Sequence, residues 1–296
     1  MSDTAQFEQG NVSANGIDFA YLAAGPADGP LALCLHGYPD SAWTWRHLLP
    51  ALADAGYRAI APFNRGYAPT SLAADGRYQA GVLGQDANAL HDAFDANGDA
   101  VLIGHDWGAM GVYAGAGTEP ERWKKAVAAA VPPGPVTAQA FFSYDQLKLS
   151  FYMFFQLTPL ADMALPLGDY EFVRRLWEDW SPGYDGAEDF ARFVDCMATP
   201  DNLTAALGAY RQTLQFELQD PALEAHQNAT LGLPEVPLLY LHGNDDGCMS
   251  PTLAATSGDY LTYPGSRAVM VDGAGHFLQL EQPDKVNAEI LGFLAE

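Results

Sequence analysis

The stretch at residues 104–108, Gly104-His105-Asp106-Trp107-Gly108, decides the fold of this 296-residue chain. It follows a short apolar, β-prone run at 99–103 and opens an Ala- and Gly-rich run with helical spacing at 107–117. A strand, a sharp turn and a helix in this order expose the residue at the turn, where flanking glycines leave the backbone free. Serine is usual at that position, whereas the Asp106 carboxylate can displace a leaving group at an sp³ carbon.

An aspartate nucleophile needs a base to activate water and an acid to orient that base, in the chain order nucleophile, acid, histidine. His276 follows an apolar run at 268–271 and lies among glycines, so we predict that it is the base. An apolar run at 236–241 leads to two adjacent aspartates. The spacing from Gly243 favours Asp246 as the acid over Asp245, which we expect to cap the turn.

A third motif lies upstream, where the apolar run at 31–35 leads into His-Gly-Tyr-Pro at 36–39. Hydrolysis at the Asp106 carboxyl group would develop an oxyanion, and an oxyanion needs two convergent N–H donors. The backbone amides of Trp107 and Tyr38 are the expected pair, because this hole combines the residue after the nucleophile with the loop after an early strand.

The order of the remaining runs predicts an α/β fold with a mostly parallel central sheet, flanking helices and an inserted helical cap. Asn-Gly at 15–16 indicates an opening hairpin, and strands then alternate with helices. Pro-Pro-Gly-Pro at 132–135 interrupts that alternation, and prominent helical stretches follow at 141–157 and 203–218. We therefore predict a first part of the core at 1–133, a helical cap at 134–232 and a second part of the core at 233–296.

Composition limits the partners of the chain. A net charge of −23 makes nucleic acid and anionic membrane unfavourable partners, and we expect a monomer or homodimer. The predicted cap is rich in aromatic residues that would line an apolar pocket, so we expect a hydrophobic small-molecule substrate. The seven histidines and three scattered cysteines lack the spacing of zinc ligands. We therefore expect that the protein needs neither a metal nor another cofactor. The first ten residues lack a secretory signal pattern, so the cytoplasm is the expected location.

These motifs resemble the epoxide hydrolase branch of the α/β-hydrolase fold, and the likeness extends along most of the chain. It is carried by residues 36–39, 43–46, 56–62, 65–67 and 104–108, which occur in that family's order. The resemblance implies that an epoxide is opened to a vicinal diol through a covalent ester on the nucleophile. Water activated by the histidine and its aspartate would then hydrolyse the ester.

Haloalkane dehalogenases share the aspartate nucleophile and are the first alternative; a non-catalytic small-molecule binding protein on the same fold is the second. Dehalogenases of this kind usually carry asparagine at the Tyr38 position, where its amide helps to hold halide. Epoxide hydrolases instead place two tyrosines in the cap, whose phenols donate hydrogen bonds to the ring oxygen.

The resemblance identifies Tyr210, within Ala-Tyr-Arg at 209–211, as one of those cap tyrosines. The other segment is 151–156, in which Phe151 falls at the family's usual tyrosine position and Tyr152 lies one residue later. Tyr152 serves as the first phenol if a one-residue deletion is absorbed locally; otherwise the enzyme has a single cap phenol or another activity. Phe63, which stands where relatives commonly have aspartate, is expected to line an apolar pocket with Phe151 and Phe155.

Overall fold

A computed structural model describes residues 7–296 as an α/β fold built on one eight-stranded sheet. The spatial order is β1-β2-β4-β3-β5-β6-β7-β8; β2 runs antiparallel to both of its neighbours, and all pairs from β4 to β8 are parallel. The strands are β1 (Glu8–Ala14), β2 (Ile17–Ala24), β3 (Leu31–Leu35), β4 (Arg58–Pro62), β5 (Val101–His105), β6 (Lys125–Ala129), β7 (Leu238–Gly243) and β8 (Arg267–Val271). The predicted mostly parallel sheet is confirmed.

Helices cover both faces of this sheet. They are α1 (Leu48–Asp54), α2 (Ala80–Ala93), α3 (Trp107–Thr118), α4 (Gly134–Ala140), α5 (Tyr144–Leu149), α6 (Phe151–Gln156), α7 (Leu160–Ala164), α8 (Glu171–Trp180), α9 (Ala187–Cys196), α10 (Pro200–Leu214), α11 (Glu224–Ala229), α12 (Pro251–Ala254), α13 (Leu278–Glu281) and α14 (Pro283–Ala295). Helices α2 and α3 pack together on one face, and α1 packs with α14 on the other. Each of these helices is too short or too polar to span a lipid bilayer.

Alternation along the central strands explains the two layers. Leu102 on β5 belongs to the core beneath α2 and α3, and its neighbour Ile103 belongs to the core beneath α1 and α14. Successive strand side chains point to opposite faces, so a strand buried on both sides reads as a continuous apolar run. The opening hairpin turns at Asn15 and Gly16, whose positive φ angles of 45° and 73° suit the predicted Asn-Gly turn.

The predicted cap corresponds to helices α4 to α11, all of which lie between β6 and β7. The helical stretch expected at 141–157 is divided into shorter segments, with α6 following α5 after a break at Ser150. The stretch expected at 203–218 is α10, which ends at Leu214 and is followed by a short 3-10 turn. Helix α11 packs against α2 and α3. The three-part domain division stays a prediction.

Candidate active site

Asp106 lies at the turn between β5 and α3, at the carboxyl edge of the sheet. Its φ of 55° and ψ of −117° are strained for a residue with a side chain, and such strain often marks a functional position. A Cβ at Gly104 would collide with the carbonyl group of Gly108, and one at Gly108 would lie 2.7 Å from the carbonyl carbon of Leu35. Both glycines are therefore needed to bring strand, turn and helix this close together.

His276 lies between Asp106 and Asp246, at the same edge of the sheet. Its Nε2 is 3.7 Å from Oδ2 of Asp106, and its Nδ1 is 3.0 Å from Oδ2 of Asp246. The other Asp246 oxygen accepts hydrogen bonds from the backbone N–H groups of Cys248, at 2.6 Å, and Met249, at 2.9 Å. These bonds fix the carboxylate that orients the imidazole.

The two candidate acids differ sharply in their surroundings. Asp246 is 4% exposed and faces His276, whereas the side chain of the adjacent Asp245 lies at the surface. The Asp245 backbone N–H donates to the carbonyl of Ala274, so this residue ties the β7 loop to the β8 loop. Only Asp246 is brought to the base.

The charges of these groups control the protonation of the histidine. Burial alone would lower the pKa of His276, but the carboxylates of Asp246 and Asp106 raise it to about 10. Burial would likewise raise the pKa of Asp246, but His276 and His242 hold it below its usual value. The site with a free Asp106 carboxylate therefore holds a protonated imidazole between two carboxylates at neutral pH.

The loop after β3 supplies a hydrogen bond to the nucleophile. The backbone N–H of Tyr38 donates to Oδ1 of Asp106 at 2.8 Å. Trp107 is the first residue of α3, and an amide in the first turn of a helix has no acceptor within that helix. Of the two backbone amides predicted for the oxyanion hole, that of Tyr38 is therefore bound to the nucleophile, and the role of the Trp107 amide stays a prediction.

The cap places two tyrosines close to one another in the buried core. Tyr210 on α10 is 1% exposed, and its ring packs edge-on against Trp107 at a centroid distance of 4.8 Å. Tyr152 on α6 is 3% exposed; its ring centroid lies 6.0 Å from that of Tyr210, and its hydroxyl lies 3.4 Å from Sγ of Cys248. Phe151 is 50% exposed, so α6 turns Tyr152 inward in its place.

The three phenylalanines predicted to line the pocket occupy different surroundings. Phe63 is buried in the hydrophobic core cluster that also contains Trp107 and Tyr210. Phe155 is partly buried, and its ring lies 5.2 Å from that of Phe172. Phe151 also packs against Phe172, at 6.2 Å, on the outer side of α6. Phe63 is therefore part of the hydrophobic core, whereas Phe151 is half exposed, contrary to its predicted place in the pocket lining.

Residues 30–283 match the alpha/beta hydrolase fold family. The chain belongs to this family. AB hydrolase superfamily protein YfhM of Bacillus subtilis is 32% identical over 291 residues, covering 96% of each chain. Epoxide hydrolase A of Mycobacterium tuberculosis is 30% identical over 319 residues and also covers 96% of each. The crystal structure of Epoxide Hydrolase A from Mycobacterium thermoresistibile, 28% identical, covers 98% of each chain with a TM-score of 0.77. The predicted resemblance to the epoxide hydrolase branch is confirmed.

Two cap residues of this α/β-hydrolase contact the site without having been predicted. The ring of Trp180, at the end of α8, lies 5.1 Å from that of His276 and 4.7 Å from that of Tyr152. Gln156 donates from Nε2 to the Tyr38 hydroxyl at 2.8 Å. Both come from the cap, where helix spacing alone does not indicate which side chain meets the core.

Among residues 7–296, one group could supply three metal-ligating atoms, and it coincides with the site of this α/β-hydrolase. The ligand atoms of Asp246, Cys248 and His276 lie within 4.8 Å of one another, and all three residues are buried. Two of them already share the hydrogen bond that orients the imidazole. The third contacts the hydroxyl of Tyr152. Burial raises the pKa of the Cys248 thiol well above its usual value, so this sulfur is protonated at neutral pH.

Proposed function

We propose that this α/β-hydrolase converts hydrophobic epoxides to vicinal diols through a covalent alkyl ester on Asp106. The observation that carries the proposal is the contact of a buried carboxylate with His276 on one side and the Tyr38 N–H on the other. The 30% identity to Epoxide hydrolase A of Mycobacterium tuberculosis supports the choice of substrate.

In the first half-reaction, an Asp106 carboxylate oxygen attacks a carbon of the oxirane ring. A carbon–oxygen bond forms to that carbon as the ring carbon–oxygen bond breaks, and the ring oxygen takes the electron pair. Tyr210 and Tyr152 donate hydrogen bonds to this developing alkoxide. Burial raises the pKa of both phenols well above the usual value, so each keeps the proton that it must donate.

In the second half-reaction, His276 removes a proton from water, and the hydroxide adds to the carbonyl carbon of the Asp106 ester. The N–H groups of Tyr38 and Trp107 stabilise the resulting oxyanion. The tetrahedral intermediate then expels the product alkoxide, which takes a proton from the imidazolium. The diol leaves, and the nucleophile is regenerated with one oxygen from water.

Ester formation itself prepares the base. One of the two carboxylates that raise the pKa of His276 becomes a neutral ester, while burial continues to favour the uncharged imidazole. The histidine pKa therefore falls once the substrate is attached. The alkoxide formed by ring opening takes up the proton that the imidazole releases and becomes the first hydroxyl group of the product. A neutral imidazole, still oriented by Asp246, then remains when water must be activated.

The test is a single turnover in ¹⁸O-labelled water with a panel of aryl and alkyl epoxides, followed by mass analysis of the diol and of the Asp106 peptide. We expect the first turnover to give diol whose added oxygen comes from Asp106, with the label retained in the protein. The His276→Gln variant should accumulate the alkylated peptide. Label delivered directly from water to the diol would contradict the covalent mechanism.

A matched pair of variants tests the assignment of the acid. Asp246→Asn should slow ester hydrolysis strongly, whereas Asp245→Asn, which changes the adjacent exposed carboxylate, should leave turnover unchanged. Haloalkanes serve as the control for substrate class. Halide release without turnover of any epoxide would replace the proposal with a dehalogenase reaction.

A further inference from the structure

A polar pair lies within the aromatic surroundings of the nucleophile. The Tyr38 side chain extends from the β3 loop to the cap, where its hydroxyl oxygen accepts a hydrogen bond from Nε2 of Gln156 at 2.8 Å. Both side chains are fully buried. The other end of the same amide, Oε1 of Gln156, is also buried and has no hydrogen-bond partner.

Gln156 is held firmly at this position. Its backbone carbonyl accepts a hydrogen bond at 3.1 Å from Nε of Arg211, whose guanidinium is paired with Asp162. Gln156 is therefore anchored through its backbone to Arg211 of α10 and through its Nε2 to Tyr38. An unpaired buried carbonyl oxygen costs free energy, which a matching ligand would recover.

Another buried glutamine of the cap, Gln146, has hydrogen-bond partners at both ends of its side-chain amide. Gln146 donates from Nε2 to the hydroxyl of Ser150, at 2.9 Å, and to the carbonyl of Cys248, at 3.0 Å. Its Oε1 accepts from the backbone N–H of Ser250 at 2.9 Å. Both ends of this amide are satisfied by the protein itself, in contrast to Gln156.

The position of the pair connects it to the reaction. The backbone N–H of Tyr38 is bound to the nucleophile, and its ring packs edge-on against Tyr210 at a centroid distance of 5.3 Å. Tyr38 therefore contacts both Asp106 and Tyr210, the residue proposed to donate a hydrogen bond to the ring oxygen. Since its oxygen accepts from Gln156, its own proton is left to donate. The pair offers one donor and one acceptor, which together complement a hydroxyl group.

We propose that the preferred substrates are epoxy alcohols, whose hydroxyl group accepts a hydrogen bond from Tyr38 and donates one to Oε1 of Gln156. This inference rests on the proposed epoxide hydrolysis and narrows its substrate class. A site built to bind a hydroxyl group discriminates against analogues that lack it, because its buried polar atoms are then left unpaired. The hydroxyl group adds binding energy and fixes the register of the oxirane against Asp106.

Three probes test this preference in the unaltered protein: 3-phenylglycidol, its methyl ether, and trans-β-methylstyrene oxide. The first and third differ by one hydroxyl group, and the ether keeps an acceptor oxygen but has no proton to donate. We expect kcat/KM for the alcohol to exceed that for the hydrocarbon epoxide by about ten-fold or more. We expect kcat/KM for the ether to equal that for the hydrocarbon epoxide, since Oε1 of Gln156 then accepts no hydrogen bond.

The probes also differ in intrinsic reactivity, and variants separate this difference from recognition of the hydroxyl group. Intrinsic reactivity cancels when the alcohol-to-hydrocarbon ratio of kcat/KM in a variant is compared with the same ratio in the unaltered protein. Gln156→Leu and Tyr38→Phe should each reduce the alcohol-to-hydrocarbon ratio by about ten-fold. Gln146→Leu is the matched control, because it removes a buried cap amide that is already satisfied. It should lower the two rates together and leave their ratio unchanged.

The outcomes distinguish this inference from the proposed function. Turnover of both epoxides with the same ratio in the unaltered protein and in Gln156→Leu would overturn the preference for epoxy alcohols while leaving epoxide hydrolysis intact. A methyl ether used as well as the alcohol would overturn the hydrogen bond to Gln156. Absence of turnover with all three probes would refute the proposed function and, with it, this inference. The ether comparison needs no variant, so a misfolded variant does not remove the test.

Discussion

Gly37→Ala should disable the nucleophile without removing any group that takes part in the reaction. A Cβ at Gly37 would lie 2.8 Å from Cγ of Asp106, and closer still to its Oδ1 and Cβ. Cβ contacts under 3.0 Å are essentially never found, and ordinary contact begins at 3.4 Å. The Asp106 side chain must therefore move away from the β3 loop, and Oδ1 must move with it.

The size of the effect follows from that displacement. Oδ1 is the atom that accepts the Tyr38 N–H bond at 2.8 Å, so the shift weakens this bond and turns the attacking oxygen out of line. A misplacement approaching 1 Å costs about 10²-fold in rate, and overpacking of a buried site costs about 1–3 kcal/mol of stability. We expect ester formation to slow by about 10²-fold while the protein still folds.

Quenched-flow mass spectrometry of the Asp106 peptide measures ester formation directly, and thermal unfolding measures stability. Gly292→Ala is the matched control because its Cβ would meet no atom within 4 Å. It should leave the rate unchanged and stabilise α14 by about 0.5–1 kcal/mol. If Gly37→Ala formed ester at the wild-type rate, the argument that this glycine makes room for the nucleophile would be refuted.

Tyr210→Phe should lower the rate of ester formation by about 10²-fold or more, measured by quenched flow, because the alkoxide loses a donor; an unchanged rate would remove this tyrosine from the mechanism. Asp246→Asn should slow ester hydrolysis by up to about 10⁴-fold, so that alkylated protein accumulates in the steady state. Because esterification of Asp106 lowers the histidine pKa from its value of about 10, ester hydrolysis measured from pH 5 to 10 should rise with pH and level off well below pH 10. Burial raises the pKa of Asp40 to about 7, so its folded form binds a proton more tightly than its unfolded form. The contribution of the protonated Asp40 carboxyl group to stability is thus full below about pH 4 and is lost as the pH rises to 7. We therefore expect the melting temperature of Asp40→Asn to change less between pH 5 and 8 than that of the unaltered protein.

The sequence predicts the sheet and the motifs at its carboxyl edge because these depend on local signals. A strand buried on both faces is a continuous apolar run, and the turn that follows it needs glycine at fixed positions. Both signals lie within residues 99–108, so the turn that carries Asp106 can be located from a short local stretch of sequence. His276 follows from the same reasoning at the end of β8.

The cap is less predictable because its short helices have several apolar faces. Trp180 and Gln156 meet the core only through the packing of α8 and α6 on the loops below them. The exposed position of Phe151 shows the same difficulty. Apolar spacing indicates that a helix is amphipathic, but it does not indicate which of two adjacent aromatic residues turns towards the site.

Tyr152 illustrates how a one-residue change in spacing can be absorbed. Moving a position along a continuous helix by one residue rotates its side chain by about 100°, which would turn a phenol away from the site. Here α6 is only six residues long and begins after the break at Ser150, so its rotation is not fixed by α5. The aromatic contacts of Tyr152 with Trp180 and Tyr210 can then set that rotation. A short, separately packed helix thus allows α6 to turn Tyr152 rather than Phe151 towards the core, and the role of Tyr152 as the first cap phenol stays a prediction.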